Sequence, residues 1–113
     1  MIVLKRVYEP CAKSDGYRVL VDRLWPRGVS KAQAKLDLWL KDIGPSDALR
    51  KWFGHDDARW PEFRRRYKEE LRGKKELVAE LAALSKKHKK TTLLFGAKNE
   101  EHNQAVVIAG LLK

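Results

Sequence analysis

A chain of 113 residues with 43% hydrophobic and 9% aromatic residues carries enough apolar material for one domain, which at this size buries roughly two-thirds of its unfolded surface. Its 35% charged residues point to a solvated surface rather than disorder, and its apolar runs fall far short of the roughly 20 residues that span a bilayer. The net charge of +10 fixes the sign expected of a ligand or partner as negative: phosphate, nucleotide, nucleic acid or acidic protein, and the short apolar runs predict no membrane segment.

Ile2–Tyr8 is rich in β-branched and apolar residues and runs into Glu9-Pro10, which predicts a strand stopped by proline. Asp15-Gly16 is a turn signal, and Tyr17–Asp22 follows with the continuous apolar run of a strand covered on both faces. Ser30 and Gln33 have the spacing of a capping box, so a helix is expected from residue 31. Ala32, Leu36, Trp39, Leu40 and Ile43 give it helical spacing until Gly44-Pro45. Ser46 then caps a short helix bearing Leu49, Trp52 and Phe53, which Gly54 ends. Asp57 is read as the cap of the next helix, with Pro61 in its first turn. Trp60, Phe63, Tyr67 and Leu71 share one helical stripe, repeated by Leu77, Leu81 and Leu84 after an interruption at Gly73. Thr91–Phe95 is the last strand, and Gly96–Asn99 turns into a final helix.

Strands at both ends with helices between predict an α/β fold: a small, mostly parallel sheet of about three or four strands covered by helices, in a single domain over 1–113. The link between the first two strands leaves two readings, a parallel crossover or an antiparallel hairpin closed at Asp15-Gly16. One cysteine, Cys11, forms no internal disulfide, and three scattered histidines have no metal-ligand spacing. A reducing, cytoplasmic setting is expected, with no metal and no cofactor, for a monomer or small oligomer whose first residues read as a strand and not a signal peptide.

Lys5-Arg6-Val7-Tyr8, the run Asp22-Arg23-Leu24-Trp25-Pro26-Arg27-Gly28, the run from Leu49 to Asp56 and the turn Ala97-Lys98-Asn99 together resemble the YeaO-like family, domain of unknown function 488. The resemblance covers nearly the whole chain. It brings no substrate and no reaction, but it implies an α/β fold whose second strand leads into a loop containing Asp and Arg, and so favours the parallel crossover. More distant members of the broader family carry a Cys and a Cys-His-Arg-like run around the last strand and its turn. Here Phe95-Gly96 and His102-Asn103-Gln104 fill those places, so the thiol chemistry of the distant members is not carried over.

In open α/β sheets ligands bind beyond the carboxyl ends of the strands. That rule selects Tyr8, Glu9 and Cys11 after the first strand, Asp22, Arg23 and Arg27 after the second, and Lys98, Asn99, His102 and Asn103 after the last. Arg23, Arg27 and Lys98 suit a phosphate or carboxylate, since guanidinium pairs with planar oxyanions, and Asn99 and His102 complete the expected ligand set. Asp22 and His55 are the candidate proton-handling groups, Asp22 as a base or as the structural partner of an arginine, His55 with Asp56 beside it. Cys11 lacks a recognisable base and reads as an inert thiol, and Trp39, Trp52 and Trp60 read as core. The leading expectation is a domain, catalytic or not, that binds an anionic small molecule at the strand ends.

The alternative is a nucleic-acid-associated accessory protein without catalysis. Arg59 to Lys90 holds 12 Lys and Arg against 5 Glu, a net of +7 that leaves +3 for the rest of the chain. Arg64-Arg65-Arg66, Lys74-Lys75 and Lys86–Lys90 form that basic surface, which follows no base-reading motif and is expected to bind nucleic acid weakly and without sequence preference.

Overall fold

The computed structural model describes residues 1–112 and arranges four strands, β1 (Ile2–Arg6), β2 (Tyr17–Leu20), β3 (Leu38–Trp39) and β4 (Thr91–Phe95), in one sheet of order β1-β4-β2-β3. Every pairing is parallel. β4 is central and all five of its residues are buried, with Leu93 and Phe95 facing one core and Leu94 the other, as the two-residue alternation of a strand requires. The ladder runs one step past the strands, with Val7 N–H donating to Phe95 O at 2.8 Å and Val21 N–H to Leu94 O at 3.1 Å.

β1 and β2 flank β4, so the crossover of residues 7–16 has to return the chain from one end of the sheet to the other. Ten residues reach about 33 Å when extended, enough to do this without a helix. Asp15 anchors the return: its carboxylate accepts Ala12 N–H and meets Lys5 Nζ at 3.0 Å and Arg18 Nη1 at 2.5 Å. Burial alone would raise the pKa of Asp15, but the Ala12 amide and the two cations outweigh it and hold the carboxyl below its usual range.

The helix expected from residue 31 to Ile43 is much shorter, α1 (Lys31–Ala34). Ser30 and Gln33 do form the capping box, but Lys35 turns left-handed at φ 45° and the chain leaves the helix. Buried Arg18 supplies the reason, because its guanidinium donates to Ala34 O at 2.7 Å and so satisfies a helix-end carbonyl. Asp37 then exchanges backbone and side-chain bonds with Arg18, and Leu38-Trp39 joins β2 as the edge strand β3. Trp39 is therefore 36% exposed at the sheet edge and not a core residue.

α2 (Asp47–Phe53) follows its Ser46 cap as expected and ends at Gly54, φ 53°. α3 (Trp60–Arg72) and α4 (Lys75–Lys87) are separate helices broken at Gly73, and α5 (Gln104–Leu112) closes the described chain. Phe63, Tyr67 and Leu71 of α3, Leu81 of α4 and Ile108 of α5 pack with Val19, Leu93 and Phe95 as the main core on one face of the sheet. A smaller cluster of Val7, Leu20, Ala34 and Leu94 covers the other. No helix is long and apolar enough to cross a membrane among the described residues.

Candidate functional site

Parallel strands deliver their carboxyl ends to one side, and there a cleft of about 890 Å³ opens. Its floor is made where β2 and β4 end. Asp22 Oδ2 accepts the Gly96 N–H at 2.9 Å, and Oδ1 accepts the side-chain amide of Gln104. Burial pushes the Asp22 carboxyl up to about 6, although both hydrogen bonds favour its charged form. The Asp22 carboxylate is thus occupied on both oxygens, and neither Arg23 nor Arg27 forms a salt bridge with it.

Asp22, His55, Arg23, Arg27, Lys98, Asn99 and His102 all line this cleft, so the structure brings the candidate residues to one place. Their states differ. Arg23 donates Nε to Pro45 O at 2.7 Å and Nη2 to Gly44 O at 3.1 Å, which spends much of its fork on the loop before α2. Lys74 shares Gly44 O, and its pKa is lowered by burial and by the Arg23 charge. Arg27 is exposed and its side chain bonds to none of the described residues, while its carbonyl accepts the Tyr8 hydroxyl at 2.9 Å. Lys98 is exposed likewise.

His55 sits at the rim in left-handed backbone, φ 58°, directly after left-handed Gly54. Asp56 does not orient it, because that carboxylate accepts Ala58 N–H and lies 3.6 Å from Arg59. The Asp–His pair is a different one: His102 Nδ1 lies 3.0 Å from Asp57 Oδ1, and the ring stacks on Trp60 with centroids 4.8 Å apart. In the tautomer that donates Nδ1–H to Asp57, Nε2 is the remaining polar atom of a ring that lines the cleft. Asp57 is thereby a tether to the turn after β4 and not the expected helix cap, and it also accepts from Asn99 Nδ2. Asn99 accepts the amides of Glu101 and His102, each at 2.9 Å, and buried Asn103 receives Val106 N–H to cap α5.

Glu9 and Cys11 do not line the cleft, although Tyr8 does. Sequence reasoning missed Gln104, Arg50 and Lys51. Helical spacing puts Arg50 and Lys51 on a face adjoining the Leu49 and Phe53 stripe, which was the available signal. Arg50 is the more informative, since its Nε is buried and without a hydrogen-bond partner, and its Nη2 reaches Asp47 only at 3.5 Å. Trp25, which lines the cleft, donates its indole N–H to Val29 O at 2.6 Å and meets Trp39 edge-on.

The basic helical surface is less free than its composition implies. Glu62 binds both Arg65 and Arg66 at 2.8 Å, and Arg72 pairs with Glu69 at 2.7 Å. The two arginines hold the Glu62 carboxyl down at about 2.

The whole chain, residues 1–113, matches the family model described as the inactive DUF488-N3 subclade. It is 46% identical over 112 residues to the uncharacterised protein YeaO of Escherichia coli strain K12, covering 99% of this chain and 96% of that one. Uncharacterised proteins of Mycobacterium tuberculosis strain H37Rv and of Mycobacterium bovis are each 41% identical over 107 residues, covering 95% of this chain and 89% of theirs. No solved structure matches at a significant level.

Proposed function

The chain belongs to the inactive DUF488-N3 subclade of the DUF488 family, and from that premise we propose that it is a non-catalytic domain that binds an anionic small molecule in the strand-end cleft. One observation carries the reading. The cleft gathers Arg23, Arg27, Arg50, Lys51 and Lys98 against a single acidic residue, Asp22, whose two oxygens are already engaged by Gly96 and Gln104. Gly96 and Gln104 fix that carboxylate in place, and its single charge is outnumbered by the five cations that line the cleft with it. Arg27 and Lys98 are exposed, so a phosphate or carboxylate would meet donors without first breaking protein bonds. Trp25, Tyr8 and Pro26 add an apolar wall on which the body of a nucleotide-sized ligand can rest.

A thermal-shift titration with inorganic phosphate, adenosine monophosphate and succinate tests this reading. At least one is expected to raise the melting temperature with saturable dependence, and Arg27→Gln with Lys98→Gln is expected to remove the effect. No shift with any anion at millimolar concentration, or an undiminished shift in the variant, would overturn it.

A further inference from the structure

The opposite end of the sheet carries a second concentration of charge, which the strand-end cleft does not touch. Lys13, Lys87, Lys89 and Lys90 border a shallow crevice of about 560 Å³, together with Tyr17, His88 and Asp37. Lys90 precedes β4 and Gly16 precedes β2, so this crevice lies at the amino ends of the strands and the cleft lies at their carboxyl ends. The five residues of β4, about 16 Å of chain, separate the two.

Backbone geometry, not counter-charge, holds these lysines together. Tyr17 N–H donates to Lys90 O at 2.9 Å, and Gly16, at φ 68°, approaches so closely that a Cβ there would lie 2.3 Å from the same oxygen. The Tyr17 and His88 rings stack nearly parallel, with centroids 4.0 Å apart and planes 8° from one another. The Met1 nitrogen donates to Lys89 O at 3.1 Å, which holds the start of β1 against the cluster. Among the described residues none of the four lysines joins a salt bridge, and Asp37, the one acidic residue at the crevice, accepts the Arg18 N–H at 2.8 Å. Four ammonium groups around one small crevice repel one another, and salt screens that repulsion only over a Debye length of about 8 Å at physiological ionic strength. Multiple phosphates relieve it, releasing counterions from the polyanion as they bind.

We propose that this crevice binds consecutive phosphates of a chain polyanion, independently of the strand-end cleft. The paired arginines of α3 contribute little, because Glu62 already neutralises part of their charge. The phosphates can belong to a nucleic-acid backbone or to inorganic polyphosphate, and the experiment separates the two sources.

The full chain is titrated by fluorescence anisotropy with a labelled single strand of about 20 nucleotides, and by calorimetry with linear inorganic polyphosphate. With about four phosphates engaged, log K against log salt for the single strand falls with a slope of about −2.8. Replacing Lys13, Lys87, Lys89 and Lys90 together by Gln is expected to weaken the bound polyanion about tenfold or more at low salt. Replacing Arg65 and Arg66, the two arginines that Glu62 pairs, by Gln is expected to change it by less than about twofold. Binding in either arm with this pattern supports the site and names the phosphate source. No binding in either arm, or an equal loss in the arginine variant, overturns it. Should the fourfold variant melt early, Lys13→Gln with Lys89→Gln, both at exposed positions, carries the same comparison.

Discussion

Asp22 and Gly96 meet where two neighbouring strands end: the carboxylate accepts the Gly96 amide at 2.9 Å, and a Cβ built on Gly96 would lie 2.8 Å from that same oxygen. The absence of a side chain at residue 96 is therefore what allows the bond. Gly96→Ala is expected to push the Asp22 carboxylate off both of its donors and to cost about 1–3 kcal/mol, the range for an unmade bond at a partly buried polar group. Urea unfolding measures this, and a loss below about 0.5 kcal/mol would show that the carboxylate moves aside without penalty.

Asp22 also gives the fold a pH dependence of unusual sign. Burial raises its pKa from 3.8 to about 6, so between those values the folded protein keeps a proton that the unfolded chain has released. Stability from this group is complete below the unfolded value and declines as pH rises through about 6. The decline is on the order of 2 kcal/mol, discounted for partial solvent access from about 1.4 kcal/mol for each pKa unit. Asp22→Asn lacks the titrating group. Unfolding curves of both proteins at several pH values from about 4 to 7 are expected to converge or cross, whereas parallel curves would contradict the raised pKa.

Arg18 is 3% exposed and serves three partners at once, Asp15, Ala34 O and Lys35 O. Arg18→Met leaves a buried carboxylate with only Lys5 and the Ala12 amide and frees two carbonyls, which is expected to destabilise the fold by about 3 kcal/mol or more. Arg18→Lys, which keeps the charge but loses the fork, is expected to fall between. Chemical denaturation of the two variants checks the order, and a methionine variant within about 1 kcal/mol of the parent would remove Arg18 from the account of why α1 is short.

How much of this was legible in the sequence varies with how local the signal is. β4, α2 and the break at Gly73 follow from nearby apolar spacing and caps, and the structure has them where the sequence places them. The stretch after Ala34 was not legible, because the helix is ended by Arg18, sixteen residues upstream, and no local pattern reports that partner. The cleft was reachable through the rule for parallel sheets, since it is built from residues that follow strand ends. Its internal pairing was not: Asp22 with Gln104 and Asp57 with His102 join residues far apart in the chain, and neighbours such as Asp56 and His55 are the wrong partners. The net +7 of the basic region likewise concealed which charges are paired, and only the helix register shows Glu62 between two arginines.

Amide chemical-shift mapping of the full chain titrated with adenosine monophosphate tests the central claim most directly. The account predicts saturable shifts centred on Arg27, Gly96, Lys98 and His102 and on the indole N–H of Trp25, all of which line the strand-end cleft. Shifts confined to Lys13 and Lys87–Lys90, or none at millimolar ligand, would contradict it.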